Sequence, residues 1–245
     1  MRTFLNLFKL KNKHKILGVI PARGGSKGIK NKNLYKLNGK PLIYYSIQAA
    51  KKSKLLTDFV VSTDCLEIKR VSESYGANVP FIRPEHLSDD KALAVPTIQH
   101  AVSFCETFNK SKYDYIVMLQ PTAPLRTHED IDNSLFKLIN EDGDGIISIV
   151  DVDNYHPVKM KTIKNDRLFD FIDSGLENPP RQSLPPIFIV NGAVYATKRD
   201  VFMNDNTFKG NKCLPFLMPP ERSSNIDVIE DFIVAEYHLK KIKND

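Results

Sequence analysis

The fold class of this chain is first indicated by the stretch Ile16-Leu-Gly-Val-Ile-Pro-Ala-Arg-Gly-Gly-Ser-Lys-Gly28. Its first residues form a short apolar run rich in β-branched side chains, which is typical of a buried strand. A loop of glycines and cations follows at once, and ligands of open parallel sheets bind beyond the carboxyl ends of the strands. The stretch therefore predicts a buried strand that leads into a ligand-binding loop.

The same pattern of strand followed by helix recurs along the chain. Short apolar runs predict strands at residues 16–20, 59–62, 79–82, 115–119, 146–150 and 188–196. Longer segments with helical period predict helices at residues 41–54, 64–75, 93–108, 129–139 and 228–241, the second of them capped by Asp64. This alternation predicts an α/β fold, with a doubly wound, mostly parallel sheet covered by helices on both faces.

Residues 151–186 interrupt the alternation, because they are rich in proline and polar side chains and show no clear period. A loop of that length without secondary structure is uncommon inside a compact domain. We therefore expect a single domain at residues 16–245, with a protruding, partner-contacting insertion at 151–186 and a basic tail at residues 1–15.

Composition excludes several classes of protein. The chain has 245 residues, 42% of them apolar, so it is neither disordered nor fibrous. No window approaches the roughly 18 apolar residues of a membrane-spanning helix, and the run at 16–20 is too short for a signal peptide. The three cysteines are odd in number and widely spaced, which favours neither a disulfide framework nor a zinc site. We expect a cytoplasmic protein without membrane association.

Charge is distributed unevenly along the chain. Residues 1–57 contain 14 lysines and arginines and no carboxylate, whereas the remainder is acidic overall. Such a basic segment can bind nucleic acid or a membrane, can hold a polyphosphate, or can be a solvated face. At residues 1–15 a solvated tail is the simpler interpretation. At residues 23–40 the cations alternate with glycines directly after a strand, which favours phosphate binding.

The loop after the first strand is the most informative polar cluster. Its glycines let backbone N–H groups approach an anion, and Arg23, Lys27 and Lys32 supply positive charge. The glycine spacing matches neither the P-loop nor the dinucleotide-binding motif. The loop is interpreted as a polyphosphate-binding site, and the alternative is an ordinary strand-to-helix turn surrounded by exposed cations.

A series of motifs occurs in order between residues 16 and 240. They are Ile20-Pro-Ala-Arg-Gly-Gly-Ser-Lys-Gly28 with Lys32-Asn33, Val61-Ser-Thr-Asp64, Arg83-Pro84, Leu119-Gln-Pro-Thr-Ala-Pro-Leu-Arg126, Pro180-Arg-Gln182, Asn191-Gly-Ala-Val-Tyr195 and Ile226-Asp227. Together they resemble the bacterial acylneuraminate cytidylyltransferases, the CMP-sialic acid synthetases, whose relatives act on legionaminic and pseudaminic acids. The resemblance implies a Rossmann-like nucleotidyltransferase that transfers CMP from CTP to a nine-carbon 2-keto acid sugar, with Mg²⁺ or Mn²⁺ as cofactor.

The resemblance also implies roles for individual residues. The residues expected to bind CTP are Arg23, Ser26, Lys27, Lys32, Asn33 and Arg83, the last of them facing the cytosine. The residues expected to bind the sugar are Gln120, Arg181 and Asn191. Lys32, Arg23 and Asp227 are the expected catalytic residues, and Asp227 and Asn225 the expected metal ligands. A homodimer held partly by residues 151–186 is implied as well.

Two positions depart from the sialic acid pattern. Ile189 stands where related enzymes have an arginine, which makes the wall beside the sugar less polar and favours legionaminic acid as a candidate. Asn225 stands where the related motif has an aspartate, so the metal would gain an amide oxygen without charge. Residues 225 and 227 lie on the same side of an extended segment. The alternative role for Asp227 is to cap the helix that begins near Val228.

Other interpretations stay open at this stage. Arg83 could be a surface residue, and Asn191-Gly192 could be a bulge in a strand. Thr122 and Arg126 are expected to shape the loop, and the alternative for Arg126 is to pair with a local carboxylate near the start of the helix at 129–139. Activation of pseudaminic acid or of 3-deoxy-manno-octulosonate is an alternative reaction. A nucleic-acid-binding module is a further alternative, but the aromatic residues of the basic segment form no evident stacking platform, and we expect no nucleic-acid partner.

Overall fold

A six-stranded sheet forms the centre of the computed structural model, which describes residues 13–25, 28–173, 175, 177 and 179–242. In chain order the strands are β1 (Ile16–Pro21), β2 (Lys36–Leu37), β3 (Lys40–Pro41), β4 (Asp58–Ser62), β5 (Tyr115–Met118), β6 (Gly145–Asp151), β7 (Lys161–Lys164), β8 (Arg167–Asp170), β9 (Phe188–Lys198) and β10 (Cys213–Leu217). The helices are α1 (Leu42–Lys52), α2 (Leu66–Ser74), α3 (Ala94–Asn109), α4 (His128–Asn140), α5 (Arg199–Asp205) and α6 (Ile229–Ile242).

The strand order in the central sheet is β10-β6-β9-β5-β1-β4. β1 pairs in parallel with both β4 and β5, β6 pairs in parallel with β10, and β9 is antiparallel to both of its neighbours. The predicted mostly parallel, doubly wound sheet is therefore confirmed. Because the chain leaves β1 towards β4 on one side and reaches β5 on the other, a crevice opens at the carboxyl ends of β1 and β5.

Helices cover both faces of the sheet, as the alternation of buried side chains requires. Ile16 and Ile20 of β1 pack in one core, which contains residues of α1, α2 and α4. Leu17 and Val19 point the other way, into a core that contains residues of α3 and α5. A smaller cluster, formed by Ile29, Leu37, Leu42, Leu125, Ile226, Phe232 and Ala235, joins the segment after β1 to α6. This third cluster brings residue 227 to the crevice, almost 200 positions away from the loop after β1.

The structure corrects two parts of the predicted sheet. Residues 79–82 do not form a strand: the pairing there is an isolated bridge between Asn78 and Val60, because Pro80 has no N–H group to donate. β10 was not predicted from the sequence, since its central Pro215 is a signal against a strand. The proline is tolerated because β10 is an edge strand that pairs with β6 alone.

The insertion at residues 151–186 contains regular structure that its composition did not reveal. β7 and β8 form an antiparallel hairpin separate from the central sheet. Its two turn residues, Asn165 and Asp166, have φ angles of 51° and 59°, and positive φ at both positions is typical of the two-residue turns that match strand twist. In the part of the chain that the structure describes, no helix has the length and apolar character to cross a membrane.

Candidate active site

A cleft of about 400 Å³ opens at the carboxyl ends of β1 and β5. Its lining consists of Pro21, Arg23, Gly28, Lys32, Asn33, Ala92, Ala94, Gln120, Pro121, Thr122 and Asp227. The cleft therefore brings together five residues that the sequence analysis assigned to the site, although they come from three distant parts of the chain. The sheet topology places them there, because two parallel neighbours end at the same edge.

The loop after β1 is fixed by hydrogen bonds to neighbouring segments. The backbone N–H of Gly24 donates to Oδ1 of Asp64 at 2.9 Å, and the Asn33 amide donates to the Arg23 carbonyl at 2.9 Å. A Cβ atom on Gly24 would lie 2.9 Å from Cβ of Cys65, so only glycine fits this close approach. Asn33 is 6% exposed and holds the loop in place, while Arg23 and Lys32 line the cleft.

Lys32 joins the loop to the segment that precedes α6. Its ammonium group donates to the Ile226 carbonyl at 2.9 Å and pairs with Oδ1 of Asp227 at 3.1 Å. The amide of Asn225 donates to Oδ2 of the same carboxylate at 3.3 Å. The predicted catalytic lysine and the two predicted metal ligands are thus neighbours. The backbone N–H groups of Asp227 and Val228 donate to Asp231, so the Asp227 side chain faces the cleft rather than that helix start.

Arg23 and Arg83 also meet carboxylates. The Arg23 guanidinium donates to the Asp89 carbonyl at 3.0 Å and to Asp90 at 2.8 Å, both from the segment that leads to α3. Arg83 lies 3.6 Å from Oδ1 of Asp64 and is only 5% exposed, so the surface alternative for this residue is wrong.

The guanidinium of Arg83 is short of hydrogen-bond partners. Among the described residues, none accepts a hydrogen bond from its buried Nε or Nη2. Burial lowers the pKa of Arg83, and the nearby Asp64 carboxylate opposes this shift. Unpaired buried donors are costly, so the arrangement is suited to a ligand that presents acceptor atoms at this position.

β9 approaches the cleft closely at Gly192, whose φ angle is +75°. A Cβ atom at this position would lie 2.7 Å from Oε1 of Gln120 and 3.4 Å from Oδ1 of Asn225. The backbone conformation therefore favours glycine, and a larger residue would also displace the end of the Gln120 side chain. This close approach brings Gln120 and Asn225 to the same end of the cleft.

Arg126 supports the cleft from within the protein. Arg126 is 3% exposed and donates to the carbonyls of Ala193 and Gln120 and to the Ser46 hydroxyl. Burial lowers the pKa of Arg126 to about 10. Arg126 therefore shapes the loop, as predicted. Its hydrogen-bond partners are carbonyl and hydroxyl oxygens, in place of the local carboxylate of the alternative interpretation.

The Asn191 amide is engaged inside the protein. Its oxygen accepts from Ser148 at 2.6 Å and its nitrogen donates to Ser223 at 2.9 Å. The structure thus places Asn191 beneath the predicted sugar site, at 3% exposure, where it fixes the backbone beside Gly192. Ser26 and Lys27 lie outside the described residues, as does the side chain of Arg181.

Asp64 is the residue that sequence reasoning assigned incorrectly. It was expected to cap the following helix, but α2 begins at Leu66 and the Asp64 carboxylate turns to Gly24 and Arg83 instead. The available signal was its position directly after a buried strand, at the same sheet edge as the glycine-containing loop.

The chain is similar in sequence to several known proteins. A family model described as cytidylyltransferase matches residues 17–169. The chain is 34% identical to post-translational flagellin modification protein B of Campylobacter coli, over 92% of this chain and 95% of that protein. It is 35% identical to CMP-N,N'-diacetyllegionaminic acid synthase of Campylobacter jejuni, over 94% of this chain and 96% of that protein.

The fold is also shared with a solved structure, that of a CMP:2-keto-3-deoxy-manno-octonic acid synthetase complexed with CTP. The two structures have a TM-score of 0.67, with 94% of this chain and 100% of that chain covered. At 17% sequence identity, this similarity concerns the fold alone.

Proposed function

Since the chain belongs to the cytidylyltransferase family, we propose that it transfers CMP from CTP to the anomeric hydroxyl of a nine-carbon 2-keto acid sugar. The sugar oxygen forms a bond to the α-phosphorus, the bond from that phosphorus to the bridging oxygen breaks, and pyrophosphate leaves while the hydroxyl proton is released. The observation that carries the proposal is the cleft between β1 and β5, where the cationic loop, Gln120 and Asp227 meet.

The cations of the cleft support triphosphate binding. Phosphoryl transfer depends mainly on positioning and on neutralising charge, which cationic side chains and backbone N–H groups provide. In the free protein Lys32 and Arg23 pair with Asp227 and Asp90. We propose that triphosphate oxygens replace these carboxylates, with Ser26 and Lys27 contributing as the resemblance implies.

Arg83 supports cytosine as the base. Arginine is a hydrogen-bond donor and never an acceptor. Cytosine offers two adjacent acceptors, O2 and N3, whereas uracil has an N–H group at N3. A buried guanidinium with unpaired donors therefore favours CTP over UTP.

The donor chemistry of the cleft fits a divalent cation such as Mg²⁺ or Mn²⁺. Asp227 offers a carboxylate whose side chain is 69% exposed, and Asn225 offers an amide oxygen beside it. Within the described ranges, no group of three or more His, Cys, Asp or Glu side chains forms a metal site. This suits Mg²⁺, which usually binds one or two protein carboxylates plus substrate phosphates. When bound, the ion would neutralise charge on the triphosphate.

The start of β9 supports a sugar of reduced polarity. Phe188, Ile189 and Val190 are exposed apolar residues on the strand that continues to Gly192 beside Gln120. Ile189 stands where an arginine would make this wall cationic. We therefore propose a legionaminic-type acid as the preferred acceptor, with pseudaminic acid, N-acetylneuraminic acid and 3-deoxy-manno-octulosonate as the competitors to test.

The hairpin of the insertion supports a homodimer. Ile163, Leu168 and Phe171 are each more than 60% exposed, and an isolated projection would leave this apolar surface in water. A second copy of the chain would cover it. The exposed apolar start of β9 follows the insertion directly in the chain. Assembly and sugar binding are therefore expected to be linked.

Pyrophosphate release tests the proposed function. The purified protein is assayed with CTP, UTP, ATP or GTP against a panel of nonulosonic acids and 3-deoxy-manno-octulosonate. We expect release with CTP and a nine-carbon acid, greatest with the legionaminic type, and none after chelation of divalent metal. Turnover with another nucleotide, or with the eight-carbon acid alone, would contradict the assignment.

Lys32→Ala gives the matched test of the cleft. We expect a loss in kcat/KM equivalent to about 2 to 4 kcal/mol, because a charge that stabilises the transferring phosphoryl group is removed. Lys30→Ala is the control, since Lys30 is an exposed lysine of the same loop. Full activity of the Lys32 variant would remove the principal cation from the proposal.

A further inference from the structure

Asp64 lies between the loop after β1 and Arg83, the two parts of the site that the proposed function assigns to the nucleotide. It follows β4 directly, with the glycine-containing loop on one side and Arg83 on the other. Its Oδ1 accepts the Gly24 N–H at 2.9 Å, and the same oxygen lies 3.6 Å from Nη2 of Arg83. A single carboxylate oxygen thus contacts both structures.

The backbone around Asp64 fixes its position. The Thr63 carbonyl accepts the Arg83 N–H at 2.8 Å, and the Thr63 hydroxyl accepts the Cys65 N–H at 3.1 Å. On the other side, Gly24 packs so closely against Cys65 that a Cβ atom would not fit. The loop and Arg83 are therefore both held against the segment of residues 63–65, and the Asp64 side chain is the polar link between them.

The negative charge of Asp64 acts on Arg83. Arg83 is 5% exposed, and the nearby Arg23 repels its guanidinium. The ion pair of Arg83 within the described residues is the one with Asp64. A buried cation without a counter-charge is strongly disfavoured, so the Asp64 charge keeps the guanidinium in its place. The Gly24 contact is different, because a neutral acceptor also satisfies a backbone N–H.

We propose that Asp64 is a positioning residue that prepares both halves of the nucleotide site: its negative charge orients Arg83 for the base, and its oxygen holds the loop for the triphosphate. The proposal rests on the proposed function, because that function assigns the loop to the triphosphate and Arg83 to the base. The two roles can be separated, since asparagine retains the acceptor and loses the charge, whereas alanine loses both.

Calorimetric titration of CTP and of tripolyphosphate, each with Mg²⁺, tests the proposal. We expect Asp64→Asn to weaken CTP binding about tenfold or more while tripolyphosphate binding is unchanged. Without the charge, Arg83 is no longer held in place to donate to the base, whereas the Gly24 N–H keeps an oxygen acceptor. Asp64→Ala is expected to weaken both ligands about tenfold. In turnover, Asp64→Asn should raise KM for CTP and leave kcat nearly unchanged, a split that a general loss of folding would not give.

Glu67→Gln is the control, because it removes an exposed carboxylate in the first turn of α2, only three residues away. It should leave both affinities unchanged. Unchanged CTP affinity in Asp64→Asn, or parallel losses for both ligands in that variant, would overturn the role of Asp64. Wild-type protein that binds neither ligand would instead contradict the proposed function itself. Since Asp64→Asn is isosteric, the test holds even if the alanine variant does not fold.

Discussion

Three cations of the candidate site meet carboxylates from distant parts of the chain. Lys32 pairs with Asp227 and Arg23 with Asp90, each with a partly exposed carboxylate, whereas Arg83 is itself buried and pairs with Asp64. Exposed ion pairs are worth little, so anionic ligands can replace them at low cost. Of the three, only the Arg83 pair is costly to break, since it leaves a buried guanidinium without a counter-charge. In the proposed function, the exchangeable cations would bind the triphosphate and the fixed cation would face the base.

Asp227→Asn is expected to have opposite effects on nucleotide binding with and without metal. Without metal the variant should bind CTP about threefold to tenfold more tightly than the wild type, because Lys32 no longer has a competing carboxylate. With Mg²⁺ present it should bind CTP more weakly, because the variant lacks the carboxylate that we propose as a metal ligand. Titration of CTP in the presence of chelator and of Mg²⁺ measures both effects.

The control for this prediction is Glu230→Gln, which removes an exposed carboxylate from the first turn of α6. It should shift CTP affinity little under either condition. Equal or weaker metal-free binding in Asp227→Asn would show that the ion pair does not compete with the nucleotide.

At the scale of elements, the insertion is a hairpin whose two strands expose apolar side chains. Ile163 and Leu168 are directly opposed in the β7–β8 register, so they lie on one face, and both are more than 60% exposed. The adjoining Phe171 is exposed as well. An isolated two-stranded hairpin is marginal in water, so a covering partner would stabilise it.

Leu168→Asp is therefore expected to convert a dimer to a monomer at micromolar concentration, because a charge would be buried in the interface. The midpoint of thermal unfolding of the monomeric variant should reflect an intact core, since Leu168 does not belong to the three core clusters. Light scattering coupled to gel filtration gives the mass, and Lys164→Ala in the same hairpin is the control. A wild-type monomer would refute the dimer, and a dimeric Leu168→Asp variant would place the interface elsewhere.

At the scale of the whole molecule, several ionisable groups are buried in neutral form. Burial raises the pKa of the Cys105 thiol to about 11 and that of the Tyr45 hydroxyl to about 12. Burial and the hydrogen bond to Asp58 raise the pKa of Tyr113 as well. In the unfolded chain these groups ionise near their ordinary values of 9 and 10. Unfolding therefore releases protons in the alkaline range.

The sign of the resulting pH dependence follows from linkage. Below about pH 9 both states hold these protons and stability is complete; above it the unfolded chain binds fewer protons, so the free energy of unfolding falls as pH rises. For Cys105 alone the loss is about 2 kcal/mol at about pH 11 and levels off at about 3 kcal/mol at higher pH. Urea unfolding at about pH 8 and about pH 10 measures it. Cys105→Ala should reduce the difference between the two midpoints, and a pH-independent wild-type midpoint would contradict the prediction.

Local patterns predicted most of the elements and missed those that depend on a neighbour. The periodic helices were found within two residues or fewer at each end, because an amphipathic face is a property of adjacent turns. The predicted strand at 79–82 failed because Pro80 has no donor, and β10 was missed because only its edge position makes Pro215 acceptable. The β7–β8 turn uses Asn165-Asp166, a weaker signal than a turn with glycine.

The α/β class, the cationic glycine-containing loop and, through the ordered motifs, the family could all be predicted from the amino-acid sequence. These features are local: strand and helix periods, glycine positions and short motifs are written in adjacent residues. Three features became visible in the folded chain alone: Lys32 lies beside Asp227, Asp64 contacts both Gly24 and Arg83, and Asn191 is buried beneath the cleft. Such pairings depend on which strands are neighbours and on how deeply a side chain is buried. Residue spacing along the chain contains neither quantity, since both arise from the packing of the sheet and its helices.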